Sequence, residues 1–317
     1  MPSLSESART TVAAAALLVL GAAAGCSDKV SSDRPNADGP LHVVCTTGMV
    51  ADLVRNVGGD RVQIRTLMGA GVDPHLYQPR PSDTEALESA DVIFFSGLHL
   101  EGKLAGLLDR MAARKPVFAV ADGIPLDRIL KSGEFPDPHV WMDVELWRCG
   151  LDVVESRLAE LRPQWNGEFQ RRAADYRREL DALHRECLDA VKTVPAPQRV
   201  LVTAHDAFQY FGRAYGVEVR AIQGISTESE ASVQQINALV DFLVERKIRA
   251  VFVESSVSER NVEALREGCR SRGHKVRIGG DLYSDAMGDE GTPEGTYPGM
   301  IRHNVRTIVS ALRADAM

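Results

Sequence analysis

The feature of this sequence that most limits its fold is an alternation of short apolar runs with amphipathic stretches, which occurs in two separate series. Such apolar runs are typical of buried strands, and their alternation with helices favours a parallel sheet with helices on its faces. We therefore predict an α/β fold of two lobes, each with its own mostly parallel sheet flanked by helices. The strand-like runs are LHVVCTT, VQIRTLM, DVIFFSG and PVFAV, and then RVLVTAH, VEVRAIQG, AVFVESS and HKVRIGG.

One long helical pattern, residues 166–192, separates the two series, with prolines on both sides of it. A helix of this length spans about 40 Å at 1.5 Å per residue, longer than a simple connection requires. We expect one long rigid helix over residues 163–195, joining an N-terminal lobe at 41–162 to a C-terminal lobe at 196–317. Its apolar face is predicted to consist of Phe169, Ala173, Tyr176, Leu180, Leu183, Cys187 and Val191.

The amino terminus has a different composition from the rest of the chain. The stretch TTVAAAALLVLGAAAGC carries no charge and ends in small residues before Cys26. An apolar run this short is typical of a secretory signal. The Ala-Ala-Gly-Cys ending resembles a bacterial lipoprotein signal, so we predict a signal peptide at 1–25, lipid attachment at Cys26 and a flexible tether at 26–40. An ordinary signal peptide with a chance cysteine is the alternative.

Composition and charge limit the classes of partner. The chain is 44% hydrophobic and 26% charged, which is ordinary for a globular protein. Its net charge of −7 argues against nucleic acid, since phosphate binding needs a basic surface. Apart from Cys26, the chain has four cysteines without C-x-x-C spacing, namely Cys45, Cys149, Cys187 and Cys269. Disulfides between them are possible, but we expect buried free thiols.

Two Asp-Pro-His tripeptides, ending at His75 and His139, are the most unusual local pattern. Proline fixes its own φ and restricts the residue before it, so both imidazoles begin stiff, extended loops. A rigid loop suits an imidazole that must point in one direction.

The ends of the predicted strands carry further polar side chains. Ligands of open α/β sheets bind outside the carboxyl ends of strands, where His205 falls and where Asp281 and Asp285 follow the last strand. Three imidazoles and one carboxylate suit a four-coordinate zinc, manganese or iron ion. The sequence therefore predicts one divalent metal site between the lobes. The remaining histidines are interpreted as structural or surface residues: His42, His99, His184, His274 and His303.

Several motifs resemble those of a known family. They are DPHLYQPRPSD, DPHVWMD, TAHDAFQYFGRAYG, IQGISTESEAS, FVESS and GGDLYSDAMG with GTYPGMIRHN, and they cover nearly everything from residue 41 onward. The set resembles the zinc/manganese solute-binding lipoproteins of metal ABC importers, the cluster A-I or cluster 9 family, and is nearest to the TroA-like members. The resemblance implies two lobes that bind one divalent metal ion between them and deliver it to a membrane permease.

The resemblance also implies a ligand set. The family's ligands fall on His75, His139, His205 and the aspartate of the (F/Y)-(S/T)-D motif, which is Asp285 rather than Asp281. Manganese-type members usually have glutamate where this chain has His205. Zinc-type members often carry a His- and acid-rich loop, which LHLEGKLAG does not match. The implied cargo is one zinc or manganese ion, with iron as a further candidate.

We expect a monomeric binding protein without enzymatic activity, held outside the cytoplasm on the membrane by its lipid, with the metal ion and an ABC permease as partners. Two alternatives remain open. A zinc hydrolase could hold a catalytic water at such a site, although H-E-x-x-H is missing and four protein ligands leave zinc little open coordination. A surface adhesin of the same fold is the other alternative.

Overall fold

The computed structural model describes residues 39–314. The predicted signal peptide, Cys26 and nearly all of the predicted tether lie outside the described residues. Within the part that the structure describes, no helix combines the length and the apolar character needed to cross a membrane.

The first half of the described chain is built on a parallel sheet, as predicted. Its central strand is buried on both sides: Val43 and Cys45 contribute to one core cluster, and Val44 between them contributes to another. The strands pair in the order β2-β1-β3-β4, with β1 (Leu41–Cys45), β2 (Val62–Thr66), β3 (Val92–Phe95) and β4 (Val117–Ala119). The helices between them are α1 (Gly48–Gly58), α2 (Pro81–Ser89) and α3 (Ala105–Ala112).

A helix that the sequence analysis leaves unassigned follows the second Asp-Pro-His. A short hairpin, β5 (Lys131–Ser132) and β6 (Phe135–Pro136), leads into that tripeptide, and α4 (Val144–Leu161) comes after it. Asp143 begins α4 because its carboxylate accepts hydrogen bonds from the backbone N–H groups of Glu145 and Leu146, at 3.0 and 3.4 Å. Its buried face comprises Val144, Leu146, Trp147, Gly150, Leu151, Val154 and Leu158.

The long helix α5 (Asn166–Lys192) coincides with the helical pattern at 166–192 and is three residues shorter at each end than the predicted linking helix at 163–195. The residues of its predicted apolar face are all buried, from Phe169 to Val191. They belong to one core cluster with residues of α1 and α4, and also with residues from the second half of the chain such as Leu201 and Phe252. Packing along its whole length therefore fixes this helix, and tertiary burial stabilises it more than helix propensity does.

The second half repeats the strand–helix alternation, but its strands form two parallel pairs, β7-β8 and β9-β10. Val202 of one pair and Val253 of the other share a core cluster with Leu243 and Leu265 from the covering helices. The strands are β7 (Val200–Thr203), β8 (Glu218–Ala221), β9 (Ala250–Glu254) and β10 (Arg277–Leu282); the helices are α6 (Gln209–Tyr215), α7 (Val233–Arg246), α8 (Arg260–Ser271) and α9 (Tyr297–Ala314).

A buried carboxylate joins three helices that are far apart in sequence. Asp52 of α1 accepts a hydrogen bond from the hydroxyl of Tyr176 on α5 and another, at 3.2 Å, from the backbone N–H of Tyr297 on α9. Burial raises the pKa of Asp52, and these two hydrogen bonds oppose that rise. The contact ties the last helix to the first half of the chain.

The four cysteines of the described residues are free thiols. Cys45, Cys187 and Cys269 are buried, as expected, and burial raises the pKa of the Cys187 thiol to about 12. Cys149 corrects the expectation because it is only half-buried; it lies on the unassigned helix α4, and its thiol is directed at the carbonyl oxygen of Glu145 (3.8 Å).

Candidate metal centre

The four residues that the sequence analysis selected lie together. His75 is in the loop after β2, His139 follows the β5–β6 hairpin, His205 comes just after β7, and Asp285 follows β10. One ligand atom from each residue lies within 4.8 Å of the others, and all four residues are buried. Two of the side chains come from each half of the chain, so the fold itself assembles the cluster.

The spacing of the ligand atoms matches that of a small tetrahedral ion. Nε2 of His139 lies 3.3 Å from Nε2 of His75 and 3.3 Å from Nε2 of His205. The Asp285 oxygens lie 3.3 Å from His139 Nε2, 3.2 Å from His205 Nε2 and 3.8 Å from His75 Nε2. Zinc ligands at about 2.0–2.1 Å in a tetrahedron are about 3.3 Å from one another. The side chains are therefore already placed at coordination spacing.

The Asp285 carboxylate is the part of the cluster that most needs a cation. Both of its oxygens are buried without a well-formed hydrogen bond from a described residue, and the His139 and His205 rings lie 3.3 and 3.2 Å away. A buried carboxylate without hydrogen bonds is costly unless a positive charge lies beside it. Asp281, the other candidate on this segment, is exposed, and its backbone carbonyl accepts a hydrogen bond from His303. The geometry therefore selects Asp285.

The two Asp-Pro-His tripeptides use the same local device. In each, a carboxylate oxygen of the aspartate accepts a hydrogen bond from the backbone N–H of the histidine two residues later, at 2.8 Å for Asp73 and His75 and at 3.0 Å for Asp137 and His139. The same Asp137 oxygen also lies 2.8 Å from Nδ1 of His139. The aspartates therefore fix the loops that carry the imidazoles.

His205 is held in a similar way by a residue distant in sequence. Glu254, at the end of β9, accepts a hydrogen bond from the backbone N–H of His205 at 2.9 Å, and its second oxygen lies 2.5 Å from Nδ1 of the ring. In the neutral ring, a carboxylate at Nδ1 keeps the proton there and leaves the Nε2 lone pair directed at the cluster. Glu254 lies within the FVESS motif, and its role was not predicted from the sequence.

The pKa values of the three imidazoles are shifted in different directions. Burial lowers the pKa of His75 to about 4, so this ring is neutral at physiological pH. Burial alone would also lower the pKa of His139, but the Asp137 and Asp285 carboxylates outweigh it and raise that pKa to about 9. For His205, burial is likewise outweighed by Glu254 and Asp285, which hold its pKa well above the usual range. A cation that enters this cluster must displace protons.

Aromatic side chains enclose the cluster and connect the two halves behind it. The ring of Trp141 packs edge-on against His139, with centroids 5.3 Å apart, and its Nε1–H donates to the carbonyl oxygen of Ser284 at 2.8 Å. The hydroxyl of Tyr297 donates to the carbonyl oxygen of Trp141 at 2.7 Å. These bonds fix the backbone on both sides of His139 and Asp285.

The other histidines lie outside the cluster. His42 and His99 are exposed, and each of the remaining three contacts an oxygen atom away from the cluster. Those contacts are a 3.4 Å contact of His184 with the Tyr215 hydroxyl, a 2.5 Å contact of His274 with the Ile248 carbonyl oxygen, and a 3.0 Å contact of His303 with the Asp281 carbonyl oxygen.

Three buried imidazoles and a carboxylate, contributed by both halves of an α/β fold, form a site that can enclose a metal ion, as in a metal-binding protein of the solute-binding class. Comparison with known families agrees with this class. The family described as ZnuA, zinc-uptake complex component A, periplasmic, matches residues 43–311, and the chain belongs to that family.

Individual relatives are similar over almost the whole chain. The manganese-binding lipoprotein MntA of Bacillus subtilis is 45% identical over 307 residues, covering 96% of this chain and all of the relative. The zinc-binding protein TroA of Treponema pallidum is 47% identical over 300 residues, or 94% of this chain and 97% of the relative. A solved structure described as periplasmic zinc-binding TroA superposes with a TM-score of 0.85 at 48% identity, over 86% of this chain and 99% of that one.

A more distant structure, Fe(III)-bound YtgA from Chlamydia trachomatis, has a TM-score of 0.79 at 27% identity, over 86% of this chain and 98% of that one. The likeness to TroA confirms the two-lobed α/β fold predicted from the sequence. These relatives are named for different metals, so the comparisons leave the choice of metal open.

Proposed function

We propose that this chain captures one divalent transition-metal ion between its lobes and delivers it to the permease of an ABC importer. Its family supports this role. The observation that carries the proposal is the buried cluster of His75, His139, His205 and Asp285, whose ligand atoms lie within 4.8 Å of one another. The Nε2 atoms of the three rings and the Asp285 carboxylate are the proposed ligands.

Zinc is the metal that the ligand set of three imidazoles and one carboxylate fits best. Four of the five measured separations among these ligand atoms are 3.2–3.3 Å, close to those of a tetrahedral ion. Manganese prefers oxygen ligands and six-fold coordination, which three imidazoles and one carboxylate supply less well. We propose zinc as the tightest ligand in vitro, with manganese and iron as weaker alternatives.

The site supports binding rather than catalysis. A zinc hydrolase needs an open coordination position for a water, and four protein ligands at tetrahedral spacing fill that position. The proposed ligands are also fully buried or nearly so, which leaves little room for a second substrate beside the metal. We therefore propose that the protein has no enzymatic activity.

The remaining parts of the proposal concern location and assembly. We propose that the chain is a monomer, anchored outside the cytoplasm through lipid on Cys26. We also retain the predicted division into a signal peptide (1–25), a tether (26–40), an N-terminal lobe (41–162), a linking helix (163–195) and a C-terminal lobe (196–317). Relatives named as lipoproteins support the anchor.

Metal analysis of protein purified without chelator or added metal, followed by competition between zinc and manganese, tests the binding proposal. Deletion of the gene in its host, with cellular zinc and manganese measured under metal limitation, tests the transport proposal. We expect one bound ion per chain. We also expect the deletion to lower cellular metal, and we expect wild-type protein, but not the His139→Ala variant, to restore it. Unchanged uptake in the deletion strain contradicts the importer role.

A further inference from the structure

A contact between the two halves of the chain lies directly beside the candidate metal centre. The hydroxyl of Thr227, in the loop between β8 and α7 (residues 222–232), donates to Oδ2 of Asp73 at 2.5 Å. The two residues are 154 positions apart in sequence. Thr227 is half-buried, and its loop is fixed from within because Nε2–H of Gln223 donates to the carbonyl oxygen of Ser229 at 3.1 Å.

Asp73 connects Thr227 to a proposed ligand, because its carboxylate bonds to both residues. Its other oxygen, Oδ1, accepts the backbone N–H of His75 at 2.8 Å. A continuous chain of hydrogen bonds therefore runs from Thr227 in the second half, through one carboxylate, to the backbone of His75 in the first half. The corresponding carboxylates at the other two histidines, Asp137 and Glu254, contact Nδ1 of the imidazole as well as the backbone N–H.

His75 is also the proposed ligand closest to solvent. Its side chain is 5% exposed, whereas those of His139, His205 and Asp285 are fully buried. Its Nε2 lies 3.8 Å from the Asp285 carboxylate, farther than Nε2 of His139 (3.3 Å) or of His205 (3.2 Å). The cluster is therefore nearest to solvent on the His75 side, where Thr227 bonds to Asp73.

A second contact joins the β8–α7 loop to a different segment of the first half, at the surface. Nζ of Lys103, from the segment between β3 and α3, lies 2.5 Å from a carboxylate oxygen of Glu228. Both side chains are more than 40% exposed, at 41% and 46%. Water and salt screen an exposed ion pair, so this contact holds the segments together far less than the Thr227 hydrogen bond does.

We propose that Thr227 is a positioning residue, which acts through Asp73 to hold His75 at the metal and so sets how fast the bound ion is released. The inference rests on the proposed function, because it concerns release of the ion from that same site. It goes further by assigning the control of release to one hydroxyl on the β8–α7 loop, outside the ligand set. Closure of the two halves and placement of the His75 ligand are then one event.

The test measures zinc release from the zinc-loaded full chain after mixing with excess fluorescent chelator. Thr227→Val keeps the shape of the side chain and removes the hydroxyl, whereas Thr227→Ser keeps the hydroxyl. We expect Thr227→Val to release zinc about tenfold faster than wild type, since the lost bond goes to a charged group, and Thr227→Ser to stay within about twofold. The matched control is Thr193→Val, which removes an exposed hydroxyl at the end of α5.

Two further measurements separate positioning from a general effect on structure. Metal-free Thr227→Val should still unfold in one cooperative transition, with a midpoint lowered by no more than the loss of one half-buried hydrogen bond explains, and Lys103→Met should change release by no more than about twofold. Equal release rates for Thr227→Val and wild type would overturn the proposal, as would an acceleration by Lys103→Met as large as that by Thr227→Val. If wild-type protein binds none of zinc, manganese and iron, the proposed function itself fails, and the inference fails with it.

Discussion

Replacement of Glu254 by glutamine tests how the His205 ligand is held. The Glu254 carboxylate contacts His205 twice, at the backbone N–H and at Nδ1 of the ring, and both residues are fully buried. Glutamine has nearly the same shape but only one acceptor oxygen. If that oxygen accepts from Nδ1, the amide NH₂ faces the backbone N–H, and two donors oppose each other.

The free-energy cost of Glu254→Gln falls partly on the stability of the protein and partly on its affinity for zinc. The donor that loses its acceptor is unpaired with or without metal, so its cost of about 1–3 kcal/mol lowers the free energy of unfolding. Zinc affinity falls only by the share of the cost that differs between the metal-bound and the metal-free protein. That share comes from losing the carboxylate that orients the His205 ring and makes its Nε2 more basic. Loss of such a partner usually costs about 10- to 100-fold in metal affinity, or about 1.4–2.7 kcal/mol.

Competition with a chromophoric zinc chelator measures this change, with chemical unfolding of the metal-free proteins run in parallel. Glu294→Gln is the matched control, because Glu294 also lies near a histidine, 3.8 Å from Nδ1 of His303, but outside the metal centre. We expect zinc affinity to fall at least about tenfold in Glu254→Gln and to stay unchanged in the control. Wild-type affinity in Glu254→Gln would refute the role assigned to this carboxylate.

Three other substitutions or conditions give clear expectations. His205→Glu replaces a nitrogen ligand with a charged oxygen ligand, so the zinc-to-manganese affinity ratio in competition titrations should narrow by at least about tenfold; an unchanged ratio means that His205 is not a ligand. Cys26→Ala should move the protein from the membrane fraction to the soluble fraction, and a variant that stays membrane-bound with unchanged mass contradicts lipid attachment. Zinc affinity should rise between about pH 6 and pH 8, because the metal must displace the proton of His139, whose pKa is raised to about 9; a flat profile contradicts this.

Elements with strong periodicity could be predicted from the sequence, and elements that depend on distant partners could not. The seven apolar residues chosen for the long helix are the residues that α5 buries. The strand pairs β7-β8 and β9-β10 could not be derived, because sequence periodicity gives the strands but not their neighbours. Helix α4 could have been predicted, because Asp143 is a typical helix N-cap and apolar residues follow it at helical spacing.

The candidate site shows the same division. Its four proposed ligands follow strands or lie in Asp-Pro-His tripeptides, so position in the fold pointed to them. The contact of Asp137 with His139 is local and could have been inferred from the tripeptide, since aspartate side chains commonly accept a hydrogen bond from the backbone two residues later. The contact of Glu254 with His205 spans 49 residues, and only the folded structure shows it.

Calorimetric titration of metal-stripped protein with zinc tests the central claim most directly, that the cluster of three imidazoles and one carboxylate is a single metal site. We expect one ion per chain for wild type and for His184→Ala, in which the replaced histidine lies outside the cluster, on the long helix. His139→Ala, which removes the imidazole at the centre of the cluster, should bind zinc far more weakly. Two equal sites, no site, or wild-type affinity in His139→Ala would contradict the claim.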